Sequence, residues 1–187
     1  MTNNLNEYIV VIKNAITDPL CDAILEEFKN SDEWQDTVVG RGTVEKHARN
    51  CETVVISYPH IIEKNKKVRL KLDKYIFASA SKCIQEYNTK FPYCKIEEDS
   101  GYELLKYSEG GFYIQHVDSF KARPRSVSCS FILNDNFEGG EFAFFDGELK
   151  YKLGKGDAIM FPSNFMYPHE VVPVTKGTRY SIVTWFI

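Results

Sequence analysis

Residues 107–118 read YSEGGFYIQHVD, and the fold turns on how that stretch is taken. After two glycines the run continues through aromatic, aliphatic and polar residues to His-Val-Asp. An extended chain throws successive side chains to opposite faces, so His116 and Asp118 share a face if the stretch is a strand. One edge then offers an imidazole and a carboxylate to a single metal ion. The rest of the C-terminal half keeps the same texture. YELLKY, FYIQHVD, VSCSFILN, EFAFF, LKYKL, DAIMF, HEVVPV and RYSIVTWFI are short apolar runs separated by glycine and turn residues, about eight strands in all. That number suits a jelly roll, or double-stranded β-helix. Asp146-Gly147, between EFAFF and ELKYKL, predicts a two-residue hairpin.

A third ligand comes from FPSNFMYPHEVVPV, which places His169 at the edge of another apolar strand. Two imidazoles and one carboxylate on one side leave half an octahedron open, the donor set suited to a non-haem Fe(II) centre. Structural metal sites are closed, so open positions imply chemistry. The last strand adds Arg179, and alternation puts Arg179, Ser181, Val183 and Trp185 on one face. An inward-facing arginine is costly unless it meets an anion, and a carboxylate ligand would satisfy it. Glu170 adjoins His169, but alternation turns it away from the metal. A hydrolytic zinc enzyme, which needs a general base there, is disfavoured.

Upstream, EYIVVI at 7–12 reads as a strand, and Asp18-Pro19 opens a helix through Cys21, Ile24, Leu25 and Phe28 to about Asn30. Residues 31–50 are polar, with Trp34, glycines flanking Arg41, and Lys46, His47 and Arg49. CETVVIS at 51–57 is a β-branched strand stopped by Pro59. Between Lys64 and Asn88, Val68, Leu72, Tyr75, Ile76, Ser79, Cys83 and Tyr87 recur near the helical period and predict one long amphipathic helix. With no further long helices to make a bundle, this one should cover a sheet. The expected architecture is mainly β with helices (α+β). It is one domain of 187 residues, with a helical support region over 1–100 packed on a jelly-roll catalytic core over 101–187.

Composition removes several function classes. The formal net charge is -3, and Lys and Arg are scattered except in KNKK at 64–67, so no basic field exists for wrapping nucleic acid. No window approaches a transmembrane span, and residues 1–14 lack the layout of a signal peptide. The expected compartment is the cytoplasm, with no membrane partner. Five cysteines, odd in number and without a CxxC pair, read as reduced thiols. Cys129 alternates with Val127 and Phe131 and is expected in the core. Gly110-Gly111 and Gly139-Gly140 precede no helix and read as turns and bulges, not phosphate cradles. His47 and His60 lack partners at ligand spacing.

The segment from Tyr102 to Ile187 resembles the catalytic domain of the prolyl 4-hydroxylase-like branch of the Fe(II)/2-oxoglutarate dioxygenases. The resemblance rests on YSEGGFYIQHVD, SFILNDNFEGGEFAFF and GDAIMFPSNFMYPHEVVPVTKGTRYSIVTWF, in the family's order and spacing. DPLCDAILEEF and HARNC are similar more loosely. The resemblance implies that His116, Asp118 and His169 are the catalytic iron ligands. It implies that Arg179 pairs with the distal carboxylate of 2-oxoglutarate, with the Tyr107 hydroxyl on the same group. Tyr113 and Trp185 match aromatics near the bound substrate. Many members have Lys where Arg179 stands, and Arg can donate bidentately. The family's cofactors follow: Fe(II), 2-oxoglutarate and O2, with ascorbate commonly used to rescue oxidised iron. The implied reaction hydroxylates a substrate, peptidyl proline foremost, and releases succinate and CO2. The family's segment between the first helix and the core folds over the site, which makes 35–50 a cover and Arg41 and Arg49 substrate contacts, against a reading as solvated loop charge.

Two other readings share the architecture. The substrate could be a free amino acid or small metabolite instead of a peptide or protein. A cupin-like module could bind a metal or ligand without turnover, although a metal store needs no anion anchor such as Arg179.

Overall fold

The computed structural model describes residues 4–39, 42–57, 66–96, 98–122 and 124–187. A single 3-10 turn, Leu5–Tyr8, leads into β1 (Val10–Ile12) and then α1 (Asp18–Phe28). The expected strand at 7–12 is therefore half a turn and half a strand. Asn4 caps the turn, its side chain accepting from the Asn6 N–H. Pro19 lies in the first turn of α1, where its missing N–H costs nothing. Next come β2 (Gln35–Asp36), β3 (Arg49–Asn50) and β4 (Glu52–Val55), followed by the long α2 (Lys66–Lys90). The buried face of α2 is Arg69, Leu72, Ile76, Ala80, Cys83 and Tyr87. Val68 and Tyr75, expected inside, face solvent, because the buried stripe runs through Arg69 and Ala80 instead.

The second half is strand after strand: β5 (Glu103–Tyr107), β6 (Phe112–His116), β7 (Val127–Ile132), β8 (Glu138–Gly139), β9 (Phe142–Phe144), β10 (Leu149–Tyr151), β11 (Ala158–Pro162), β12 (His169–Val171), β13 (Val174–Lys176) and β14 (Arg179–Phe186). Seven strands pair antiparallel in the order β1-β11-β7-β14-β5-β4-β2, five in the order β10-β9-β12-β6-β3, and β13 pairs with β8. This is the double-stranded β-helix expected from the strand pattern. The first hundred residues do more than cover it, since β1, β2 and β4 extend the larger sheet and β3 closes the edge of the smaller one.

Period-two alternation in the larger sheet builds two cores. Val127, Cys129, Phe131, Met160, Ile182 and Phe186 face outward and bury α1 and α2 through Ile24, Phe28, Ile76 and Cys83. Leu105, Tyr107, Ile132, Ile159, Phe161, Val183 and Trp185 face inward and meet Phe142, Phe144 and Val171 of the smaller sheet. The two helices are also tied to each other electrostatically: Arg69 of α2, 3 % exposed, donates to both carboxylate oxygens of Glu33, just past α1, at 2.6 Å and to Glu27 of α1 at 3.2 Å.

Asp146-Gly147 is not a two-residue hairpin. Leu149 pairs with Phe144, so four residues, 145–148, make the turn. Phe145, Asp146 and Gly147 all have positive φ (55°, 57° and 83°). The strain of two non-glycine residues there is offset by hydrogen bonds from the Phe145 N–H to the Pro168 carbonyl and between the Gln115 and Asp146 groups. Among the described residues, no helix is long and apolar enough to cross a membrane.

Candidate active site

The two sheets enclose a cavity of about 490 Å3. His116 stands at the last residue of β6, and Asp118 lies two residues beyond that strand's end, not on it. The expected sharing of a face holds although the strand has stopped. His169 opens β12 and sits directly opposite His116 in the register. The ligand atoms of the three residues lie within 4.8 Å of one another. His116 Nε2 is 3.4 Å from Asp118 Oδ1, and His169 Nε2 is 3.6 Å from Asp118 Oδ2.

Backbone carbonyls set the orientation of both rings. His116 Nδ1 is 2.8 Å from the Ile114 oxygen and His169 Nδ1 is 3.1 Å from the Tyr167 oxygen. With Nδ1–H donated backward, the Nε2 lone pair of each ring points to the common centre. Burial pulls the His169 imidazole down to about 4, against the opposing effect of Asp118. Burial works to raise the Asp118 carboxyl, but His169, His116 and the Ser128 hydroxyl outweigh it and hold the group well below the usual carboxylate range. A neutral His169 beside an ionised Asp118 is the form a divalent cation binds. Ser128 Oγ donates to Asp118 Oδ2 at 2.6 Å and lies 2.8 Å from Ser163 Oγ, fixing the carboxylate from behind.

Arg179 begins β14 at the closed end of the cavity and is 1 % exposed. Its Nη1 donates to Ser181 Oγ at 2.9 Å, whereas Nε and Nη2 are buried and have no partner among the described residues. Burial pulls its pKa below the ordinary value, with no carboxylate bonded to the guanidinium in compensation. Tyr107 pairs with Arg179 across β5 and β14, and the guanidinium lies 5.1 Å from its ring centre. Burial pushes the Tyr107 phenol up, so its hydroxyl keeps its proton as a donor. Gly140, at φ +69°, makes room for the arginine, since a Cβ there would lie 2.8 Å from Arg179 Cδ.

Tyr113 reaches the centre through an irregularity that alternation alone does not predict. The β6–β12 register shifts by one residue between His116 and Tyr113, and this bulge brings residues three apart onto one face. The Tyr113 ring stacks on His116, with centroids 3.5 Å apart. Trp185 lines the cavity on the opposite sheet and is largely buried. Residues 37–39, 42, 48 and 49 also line the cavity, so the described part of the 35–50 segment contributes to its wall. Arg49 is not solvated loop charge: its guanidinium packs 4.6 Å from the centre of the Tyr113 ring and donates to the Val38 carbonyl. Arg41, His60 and Pro59 lie outside the described residues. His47 stays exposed beside Glu45, away from the triad, and Glu170 points away from the cavity as alternation requires.

Three contributors escaped the sequence reading. Ser128 had a signal, as a polar residue alternating into the interior of VSCSFI. Ser163 and Arg125 had none. Arg125 packs its guanidinium 3.4 Å from the centre of the Trp185 ring and donates to the Asp118 carbonyl at 3.1 Å.

Comparison with known proteins agrees with this geometry. Residues 102–187 match the model of the 2OG-Fe(II) oxygenase superfamily. A PKHD-type hydroxylase of Idiomarina loihiensis is 37 % identical over 88 residues, 44 % of this chain and 39 % of that protein. One from Aliarcobacter butzleri is 39 % identical over 92 residues, 43 % and 40 % of the two chains. The matched region thus spans about two fifths of these curated relatives. Among solved structures, a Trichoplax adhaerens prolyl hydroxylase in complex with a hypoxia inducible factor oxygen degradation domain peptide fragment superposes with TM-score 0.80 at 21 % identity, covering 99 % of this chain and 86 % of that one. A Pseudomonas putida prolyl-4-hydroxylase gives 0.67 at 22 % identity, covering 96 % and 91 %. At these identities the structures bear on the fold.

Proposed function

We propose that this chain, which carries a 2OG-Fe(II) oxygenase domain of the prolyl hydroxylase-like kind over residues 102–187, is a 2-oxoglutarate-dependent dioxygenase that hydroxylates a peptidyl proline. The observation that carries the reading is the union, in one cavity, of the His116, Asp118 and His169 ligand atoms with a buried arginine whose Nε and Nη2 no group among the described residues engages. Those free N–H groups and the preset donor set fit a metal together with a dicarboxylate. A module that only stored a metal would have no use for the arginine.

In this reading His116, Asp118 and His169 hold Fe(II) through Nε2, a carboxylate oxygen and Nε2. Arg179 donates from Nε and Nη2 to the distal carboxylate of 2-oxoglutarate, and the Tyr107 hydroxyl donates to the same group. Iron and 2-oxoglutarate, when bound, supply the oxidation, in which O2 and the cosubstrate yield succinate, CO2 and a hydroxylated substrate. The protein supplies position and dryness. Ser128 and the carbonyls of Ile114 and Tyr167 hold the ligands in place, while Phe142, Phe144 and Phe161 pack around His169 and keep water out. Tyr113 and Trp185 flank the substrate ring, and the 35–50 segment closes one wall.

Residues 1–187 act as one domain, and the five free cysteines suit a reducing, cytoplasmic setting. Ascorbate, which the resemblance implies, would serve to rescue oxidised iron. The substrate is a peptide or protein, by analogy with the prolyl hydroxylases whose fold this chain shares. The test is a panel of proline-containing peptides incubated with Fe(II), 2-oxoglutarate and O2. A product heavier by one oxygen on proline, with one succinate per hydroxyl, supports the reading. Oxidation of free amino acids alone would move the substrate to the small-molecule class.

A further inference from the structure

Beyond the triad and Arg179, the cavity holds polar atoms without a partner among the described residues: Arg49 Nε on the smaller sheet, and a group on the inner face of the larger sheet. Its cross-strand rows run from closed to open. Tyr107 pairs with Arg179, Leu105 lies between Thr53 and Ser181, and Glu103 lies between Val55 and Val183. Arg179 and Ser181 are fully buried, whereas Val55 is 40 % exposed. Glu103 therefore stands toward the mouth, about 13 Å along the strand from the Arg179 row. Thr53 on the neighbouring strand and Trp185, two residues past Val183, bound the same patch. Thr53 Oγ1 and Trp185 Nε1 are buried without a hydrogen-bond partner among the described residues.

Glu103 is a cavity-lining, half-buried carboxylate, and among the described residues no group hydrogen-bonds to it or forms an ion pair with it. None of the cavity's arginines hydrogen-bonds Glu103, although Arg49 Nε and Arg179 Nε and Nη2 are buried without a partner among the described residues. Arg49 feels the Glu103 charge but donates to the Val38 carbonyl, Arg125 donates to the Asp118 carbonyl and packs on Trp185, and Arg179 bonds Ser181. The cavity's other carboxylate, Asp118, belongs to the ligand set. A partly desolvated carboxylate facing an open cavity is satisfied best by a cation brought in from outside.

We propose that Glu103, with Thr53 and Trp185, forms a substrate subsite that selects a basic group, an ammonium or guanidinium carried close to the hydroxylated carbon. The carboxylate pairs with the cation, Thr53 Oγ1 accepts a second N–H, and the Trp185 N–H donates to a neighbouring carbonyl of the substrate. This rests on the oxygenase reading and narrows its substrate class.

The test is equilibrium binding to the full chain loaded with Mn(II) and 2-oxoglutarate, which does not turn over. The ligands are proline-containing pentapeptides in matched lysine, norleucine and glutamate versions, together with the free amino acids lysine, norleucine and glutamate. In whichever set binds, the lysine member should bind about 10-fold tighter than norleucine, as one charge-assisted pair provides. Glu103→Gln should bring the two to parity, and Glu103→Arg should reverse the preference toward glutamate. Neither variant should change the affinity for Mn(II) or 2-oxoglutarate. Equal binding of lysine and norleucine members by the wild type, a preference that survives Glu103→Gln, or no binding by any member overturns the subsite. A wild type that fails to take up Mn(II) or 2-oxoglutarate overturns the oxygenase reading, and the subsite with it.

Discussion

Arg179 shows how much one side chain can commit a site to a ligand. A guanidinium buried at the closed end of a cavity with two N–H groups unpaired is costly for the fold and useful only to an anion. Arg179→Ala should raise the KM for 2-oxoglutarate by roughly 30- to 150-fold, the equivalent of about 2–3 kcal/mol for hydrogen bonds to a charged group. Arg179→Met should leave the urea midpoint of the ligand-free protein unchanged or higher, because an uncompensated buried charge has gone. A purely structural arginine would give the opposite pair of results. Ser128 acts one step further out, on the carboxylate and not on the metal. Ser128→Ala should weaken Mn(II) binding by roughly 10-fold while the fold persists, read from the Mn(II) paramagnetic resonance signal during titration.

Elements explain why these residues meet. The strand β14 delivers Arg179, Ser181, Val183 and Trp185 to the cavity by alternation alone, and that face was legible in RYSIVTWFI. The His116–Asp118 pair was legible too, although β6 ends at His116 and the carboxylate is carried at a bend two residues on. The Tyr113 stack was not derivable from period two, because it depends on a bulge that no local residue pattern announces. The turn at 145–148 was misread for a related reason. Asp-Gly is a strong local signal, but contacts from Pro168 and Gln115 stabilise a longer loop. Gly140 marks the limit of close approach between the β8–β9 connection and β14. Gly140→Ala should cost about 2 kcal/mol of stability from the left-handed backbone and also raise the 2-oxoglutarate requirement by displacing Arg179. Loss of stability with an unchanged requirement would confine its role to the turn.

At the scale of the molecule, the helices and the cavity lie on opposite faces of the larger sheet, so stability and chemistry can be perturbed separately. Removing Arg69 breaks the ion pairs that join α2 to Glu27 of α1 and to Glu33 of the segment after it. Arg69→Ala should lower stability by about 3 kcal/mol in urea unfolding yet leave 2-oxoglutarate affinity unchanged in the folded protein. The layered architecture was readable from strand count and helix periodicity, whereas the joining of β1 to β4 to the sheet edges was not, because edge pairing is decided by distant partners. Function in this protein depends on the triad and Arg179 together holding iron and 2-oxoglutarate, as proposed above. The most direct test is anaerobic visible absorption of the chain titrated first with Fe(II) and then with 2-oxoglutarate. The account predicts a weak charge-transfer band that needs both additions and is absent in His169→Ala. Iron bound by metal analysis, with no band after 2-oxoglutarate is added, would contradict it.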